Sequence, residues 1–557
     1  MKFNLFRNIV VFIFLTTTAF LILFYLRMIP AIGNTIEFRF DRSFNYRMTT
    51  NVIRSGDVPD IDYLSTYPEG KNIKAFLPTG MYHASALFYK SINRIKSITL
   101  SRSILLFCSV CGLLIFIPAY FISYEIYRNK ITAFITAILA GIIPAYLHRS
   151  SCYWYRYEIL GTPLLFMSLL FFIKGFSAQK ARNAFFYSVL SAVFMVFALS
   201  VWRLSILFLI VYVIIFLYIW LKYEKHPKKW WIVFFTLLGI SFIFLRFSHG
   251  FAGKNLACNY IVFPRAISQI FMHKLGITQN FTDFTRLVYH NRELGGVALT
   301  SFFNRMFFSF SGVFVFFYFI AYFKNKSVSI QKDILFMFLV FFLALTFIFL
   351  RNKIILGPLI AITMGESIDF ALKSKKSLRR LLICVIAVLL IKTGYDSYKM
   401  ISTRESNTKI RPYLKQVLSV INNRTPKNAV ILCYWADGYP IQTYCNRPTI
   451  TDGLFESQEI VNRIIAVSKI YYSYSEKELL DFCKIYGVTH ILVPVNRKMV
   501  YSGYAGVKYR QYYRKKGPTS NGKLTTLYKL IYTPKELSKF HLLYKNKEFR
   551  FYRVEKI

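Results

Sequence analysis

The stretch "IVVFIFLTTTAFLILFY", residues 9–25, decides what kind of molecule this is. It carries no charge, follows only Lys2 and Arg7, is longer than the apolar core of a typical signal peptide, and has no clear small-residue cleavage site. It reads as a retained transmembrane helix. Further apolar stretches lie near 77–93, 103–123, 131–147, 159–173, 184–200, 204–221, 231–246, 306–323, 333–350, 354–371 and 381–394. With the first run they make about twelve candidates for crossing ~30 Å of hydrocarbon. The stretch 77–93 contains His83, Ser85 and Lys90, and 354–371 contains Glu366 and Asp369, so flanking charge is the better guide to orientation.

Short basic segments, "YRNK" at 127–130, "KGFSAQKAR" at 174–182, "KYEKHPKK" at 222–229 and "KSKKSLRR" at 373–380, are of the kind retained in the cytoplasm. They alternate consistently only if 77–93 does not cross. That predicts eleven spans, within a range of about 11–13, and places 30–76, 148–158, 248–304 and everything after 394 outside.

Composition agrees: 55% of the 557 residues are hydrophobic and 18% aromatic, far from an ordinary soluble chain. The formal charge of +45 has two readings, an anionic partner such as a lipid phosphate or a bias toward Lys, Ile, Asn and Tyr. Nucleic acid is excluded as a partner, because the charge is spread along a polytopic chain without a recognition module. Cys108 and Cys111 sit in an apolar run with no second pair, which argues against zinc. Cys433 and Cys445 leave open a disulfide or two small buried thiols.

After Lys392 the membrane pattern stops, so the expected division is a multi-pass domain over 1–395 and a mixed α/β domain over 396–557. A helix is expected over 410–426, a strand over 429–435, a helix over 476–487 stopped by Gly487, and a buried strand over 488–495. Further strands are expected around 525–532 and 548–554.

In a chain with 26 carboxylates, acids near the outer face carry information. "FDRSFNYR", 40–47, places Asp41 just past the first span, where it could pair with Arg42 or Arg47 or cap a helix starting at Ser43. "YLHRSSCYWYRYEILG", 146–161, packs Arg149, Arg156 and Glu158 among aromatics, either as a surface ion pair with Trp154 in an interfacial belt or as a functional cluster. In "LVYHNRELGGVALTSFFNRMF", 287–307, Glu293 precedes two glycines, as a carboxylate on a mobile loop would. "VILCYWADGYPIQTYCNRPTITDG", 430–453, reads as a strand running into an aromatic, a carboxylate and a glycine turn.

Taken in order, these stretches resemble the catalytic subunit of oligosaccharyltransferase, a family of polytopic glycosyltransferases that use lipid-linked sugars. "FDRSFNYR" and "YPEG" resemble its first acidic motif, and "HRSSCYWYRYE" its second. "FLRNKIILGPLIAITMG", 349–365, resembles the late span that brings an arginine, here Arg351, to the site. "CYWADGYPIQTYCNRPTITDG" resembles the Trp-Trp-Asp segment with its later Asn446, Arg447, Thr449 and Asp452. The resemblance implies inverting transfer of a glycan from a polyprenyl phosphate or diphosphate to asparagine of an acceptor protein, outside the cell membrane, by a chain expected to act as a single subunit. It further implies that Asp41 orients the acceptor and binds Mn2+ or Mg2+, that Glu158 completes the metal site, and that Glu293 arrives from a loop. Arg149, Arg156 and Arg351 would meet the donor phosphate, while Tyr434, Trp435 and Asp437 would bind the acceptor.

Two positions depart from the family pattern. Arg156 stands where the second motif has its first acid, and Ala436 where the acceptor triplet has its acid, leaving Asp437 one residue along. On a strand that shift would point Asp437 to the opposite face. The rival readings are a glycosyltransferase of the same architecture acting on lipid, glycan or Ser/Thr, a lipid-linked-sugar transporter, and an inactive paralogue.

Overall fold

The computed structural model describes residues 2–32, 37–224, 227–247, 272, 313–325, 328–348, 350–403, 410–453, 458–514 and 517–555. The chain divides into two compact units, one of residues 1–36, 78–249 and 296–408, the other of residues 37–77, 250–295 and 409–557. The helix Lys376–Ser402 runs across position 395, and the first loop from Glu37 groups with the C-terminal residues.

The first unit is helical. Its opening helix, Lys2–Met28, extends the apolar run at both ends because neither glycine nor proline interrupts it. Among the described residues eight helices are long and apolar enough to cross a membrane, or nine if one bent pair counts as a span, and Phe314–Lys324 is a shorter apolar helix. Every one of the eleven expected stretches falls on one of these helices or on Lys376–Ser402, and the one over 306–323 lies partly outside the described residues. The stretch 77–93 becomes Gly80–Ile95, which is not among the helices long and apolar enough to cross, and neither is Lys376–Ser402. The bent pair is Lys130–Ile142 and Pro144–Ser150, which meet at 57°. Asn129 starts the first half by accepting hydrogen bonds from the Ile131 and Thr132 amides, and Pro144, which has no N–H, ends it and opens the second.

Several carboxylates inside this unit are paired. Glu366 lies 2.8 Å from Lys332, and Asp369 lies 2.6 Å from Lys373. Asp333, fully buried, accepts from Lys222 at 2.7 Å and from the hydroxyls of Tyr223 at 2.7 Å and Tyr322 at 2.5 Å, which ties three helical segments together. Asp333→Ala is expected to cost about 2–3 kcal/mol, since charge-assisted bonds to a fully buried carboxylate are lost. Lys222→Ala should cost less, because that side chain is 34% exposed. Melting temperatures in detergent check the order, and an unchanged Asp333→Ala midpoint would refute it.

The second unit is α/β. Helix Pro412–Arg424 buries Leu414, Val417, Leu418 and Ile421, the 3.6-residue stripe read from the sequence, against Ile431, Leu492, Phe549 and Phe551. The four-stranded sheet has the order Ile431–Leu432, His490–Pro494, Phe549–Val554, Phe540–Lys545. The first pair is parallel, the other two antiparallel. Helix Glu476–Ile485 stops ahead of Gly487, whose φ of +61° is left-handed. The strand expected at 525–532 is instead a helix, Thr526–Tyr532. Its β-branched and aromatic residues look strand-like, but Thr525 caps it by accepting from the Tyr528 amide, and Leu527, Leu530 and Ile531 share one buried face.

Candidate functional site

In the membrane unit the second acidic motif folds around one carboxylate. Helix Pro144–Ser150 is buried throughout and carries Arg149 in its last turn. The chain then turns, with the Trp154 amide bonded to the Ser151 carbonyl and the Arg156 amide to the Trp154 carbonyl, and Glu158 opens the helix Glu158–Ser177. A carboxylate there benefits from the positive end of the helix. Glu158 is fully buried. Its Oε1 accepts from Arg149 Nη1 at 2.9 Å and from Trp154 Nε1 at 3.1 Å, and its Oε2 lies 3.6 Å from Arg351 Nη2. Arg149 and Arg156 lie over the Trp154 ring at 5.0 and 5.5 Å from its centroid. The Arg149–Glu158 pair is therefore buried rather than superficial, and Trp154 donates a hydrogen bond to the cluster.

The structure thus brings together Arg149, Arg351, Trp154 and Glu158, with Arg156 against the same indole. One carboxylate faces a surplus of guanidinium charge, a setting that suits a polyanion. Glu158 Oε2 has no hydrogen bond among the described residues, so it is the one hard-oxygen ligand position that this cluster offers a divalent cation. No group of three or more His, Cys, Asp and Glu side chains among the described residues could hold a metal ion. Glu293 lies outside the described residues.

In the second unit "FDRSFNYR" is the start of the helix Asp41–Ser55. Phe40 has a φ of +52°, rare for a bulky residue, and its carbonyl takes the Ser43 amide at 2.9 Å and the Ser43 hydroxyl at 2.6 Å. The helix begins at Asp41 itself, not at Ser43. Arg47 is engaged elsewhere: its guanidinium forks onto Asp62 at 2.7 and 2.6 Å and reaches Gln442 Oε1 at 3.0 Å. Gln442 in turn donates to Thr449 at 2.7 Å and Asp452 at 3.0 Å, and the Ser65 hydroxyl also binds Asp452. Thr449 and Asp452 therefore fasten the first loop to the 430–453 segment, and Arg447 donates to the carbonyls of Cys445 and Thr425. Cys433 and Cys445 are buried free thiols.

The strand expected over 429–435 is only Ile431–Leu432, and a short helix, Trp435–Pro440, follows. The one-residue displacement of the acid is thus a rotation of about 100° on a helix, not a flip across a sheet. Asp437 is 2% exposed, and Arg411 Nη2 lies 3.9 Å from its Oδ1. Burial pushes its carboxyl up to about 6, against the pull of Arg411 and Arg497 and with Glu548 adding to the rise. Trp435 Nε1 donates to Tyr504 at 3.3 Å, and Arg497 lies 5.1 Å from the centre of the Tyr434 ring. Sequence reasoning missed Asp62, Arg411, Gln442, Arg497 and Tyr504. Arg497 had a signal: it follows the end of the strand His490–Pro494, parallel to the strand that leads to Trp435, and such ends gather ligands.

Comparison with known proteins gives this arrangement a lineage. A family model described as oligosaccharyl transferase STT3, N-terminal, matches residues 31–403. No curated protein sequence matches the chain. Among solved structures, the oligosaccharyltransferase AglB of the archaeon Archaeoglobus fulgidus, in complex with an inhibitory peptide and a dolichol-phosphate, superposes with a TM-score of 0.75 at 13% identity, covering 95% of this chain and 79% of that one. The same enzyme complexed with Zn and sulfate gives 0.73 at 12% identity, with coverage of 95% and 79%. ArnT of Cupriavidus metallidurans bound to undecaprenyl phosphate gives 0.54 at 9%, covering 97% of each chain. With a family model matching most of its length, this chain, a multi-pass membrane glycosyltransferase, belongs to the STT3 family of oligosaccharyltransferase catalytic subunits.

Proposed function

We propose that the chain transfers a glycan, with inversion, from a polyprenyl phosphate or diphosphate to the side-chain amide of asparagine in acceptor proteins on the extracytoplasmic face. The observation that carries this is the surplus of guanidinium charge around Glu158. As the bond from the anomeric carbon to the carrier oxygen breaks, its electron pair stays on phosphate, and preplaced cations lower that barrier. Arg351 and Arg156 meet this charge, while Arg149 and Trp154 hold Glu158. The amide nitrogen attacks the opposite face of the sugar and gives up a proton, with Asp41 accepting its N–H. Tyr434, Trp435 and Asp437 hold the acceptor chain. A divalent cation such as Mn2+ or Mg2+ would be held by Glu158 and would supply Lewis-acid neutralisation of the phosphate. The complexes of AglB with a peptide and a dolichol-phosphate support a lipid-linked donor and a peptide acceptor.

Purified protein given lipid-linked oligosaccharide and an Asn-x-Thr peptide, with and without manganese, is expected to yield glycopeptide by mass spectrometry. No glycopeptide under either condition would refute the asparagine reading. Glycan released onto lipid or a Ser/Thr peptide would establish the rival enzyme, which the pairing of buried Asp437 with Arg411 favours. In the same assay Arg156→Asp is expected to lower the rate without manganese. A rise with tighter metal dependence would show that Arg156 does not stand in for a cation.

A further inference from the structure

We propose that Arg27 is a positioning residue for transfer: it holds the bent segment 141–150 so that Arg149 meets Glu158. This rests on the role proposed above for the Glu158 cluster. Arg27 closes the first membrane helix and is fully buried, yet its hydrogen-bond partners are neutral. Nη1 donates to the Leu23 carbonyl at 3.0 Å in its own helix, while Nη2 donates to the Gly141 carbonyl at 2.9 Å and to Ser150 Oγ at 3.2 Å. The Arg27 carbonyl accepts from the Cys152 amide at 3.1 Å. A buried guanidinium is costly, so the polar groups that satisfy it are held in a narrow range of positions.

Those groups are the two ends of the bend. Pro144 breaks the helix and leaves its last carbonyls without partners from the next turn. Arg27 takes the Gly141 carbonyl, Ser397 Oγ donates to the Ile142 carbonyl at 2.5 Å, and the Tyr146 and Leu147 amides take that of Ile143. A cation at a helix C-terminus is also favoured by the helix dipole. At the other end, Ser150 and Cys152 flank the turn that leads from Arg149 into "CYWYRYE". Gly112 makes room: a Cβ there would lie 2.7 Å from Arg27 Nε and 2.4 Å from the Ser150 carbonyl. Arg27 touches no reacting group, so its effect on the reaction passes through Arg149, Trp154 and Glu158.

The test compares Arg27→Met, Arg27→Lys and Ser150→Ala with the unaltered protein in detergent or nanodiscs. A misplacement of about 1 Å costs roughly 10²-fold in rate. Arg27→Met is therefore expected to lower kcat about 100-fold per folded molecule, with KM for the acceptor peptide unchanged. Lysine, able to reach one carbonyl but not to fork, should recover at least a tenth of the activity. Ser150→Ala, which removes one bond, should lose several-fold. Loss in proportion to unfolded protein, lysine no better than methionine, or a rise in acceptor KM instead of a fall in kcat would each overturn the proposal. A separate readout does not need transfer: Trp154 emission, isolated by difference against a Trp154→Phe background, should shift in Arg27→Met and return in Arg27→Lys. If unaltered protein glycosylates no acceptor while this shift appears, the functional reading fails and the positioning stands; no shift in folded Arg27→Met overturns the positioning itself.

Discussion

Asp41→Ala is expected to lower glycan transfer about 10²- to 10³-fold, the usual loss when one preorganised electrostatic group is removed from an acyl- or glycosyl-transfer centre, while leaving the fold intact. The second half follows from what anchors its helix. Ser43 fixes the first turn to the Phe40 carbonyl, Arg47 is forked onto Asp62, Thr443 donates to the Ser43 carbonyl, and Phe44 packs on Tyr439 at 5.0 Å. None of these contacts involves Asp41. Its charge in the first helical turn adds about 0.3–1 kcal/mol. Asp62→Ala makes the contrast, because it strips both carboxylate oxygens from a nearly buried arginine and should destabilise the protein far more than Asp41→Ala does. Transfer rate and melting temperature measured together separate the two. An Asp41→Ala protein that keeps more than a tenth of the rate would remove Asp41 from the reaction.

The same residues show how far a sequence carries the argument. Uninterrupted apolar runs gave the membrane helices, because length and hydropathy are local properties, and the leucine and isoleucine stripe of 410–426 gave the helix Pro412–Arg424 for the same reason. The acidic segments were visible as costly residues in an apolar setting. Their partners were not, since Glu158 and Arg351 are nearly two hundred positions apart and no periodicity links them. Ion pairing also reversed the local expectation for Arg47: the nearest acid in sequence was Asp41, yet Asp62 satisfies it. At 526–532 residue types that favour strands sit in a helix, where a threonine cap overrode intrinsic preference, and at 435 the strand has already ended and a short helix begins.

Glu158→Gln should be the more damaging substitution overall. The amide keeps the shape of the side chain but removes the carboxylate that Arg149 and Arg351 face, and it turns an NH2 group toward a guanidinium or the Trp154 N–H. Leaving buried charge without its counter-ion costs roughly 3–5 kcal/mol, and transfer should fall at least about 10²-fold. If Glu158 acts mainly by holding the guanidinium groups in register, the damage is coupled to Arg149. The double variant Glu158→Gln with Arg149→Gln should then be more stable than Glu158→Gln alone, because it removes the guanidinium that lost its carboxylate, yet no more active, because the carboxylate is still missing. Glu158→Asp, which keeps the charge but withdraws it by one methylene, should fall between the unaltered protein and Glu158→Gln in rate. A double variant whose stability loss is the plain sum of the single losses would show that Glu158 and Arg149 act independently, and a Glu158→Gln protein with normal stability but no transfer would assign the carboxylate to the reaction itself.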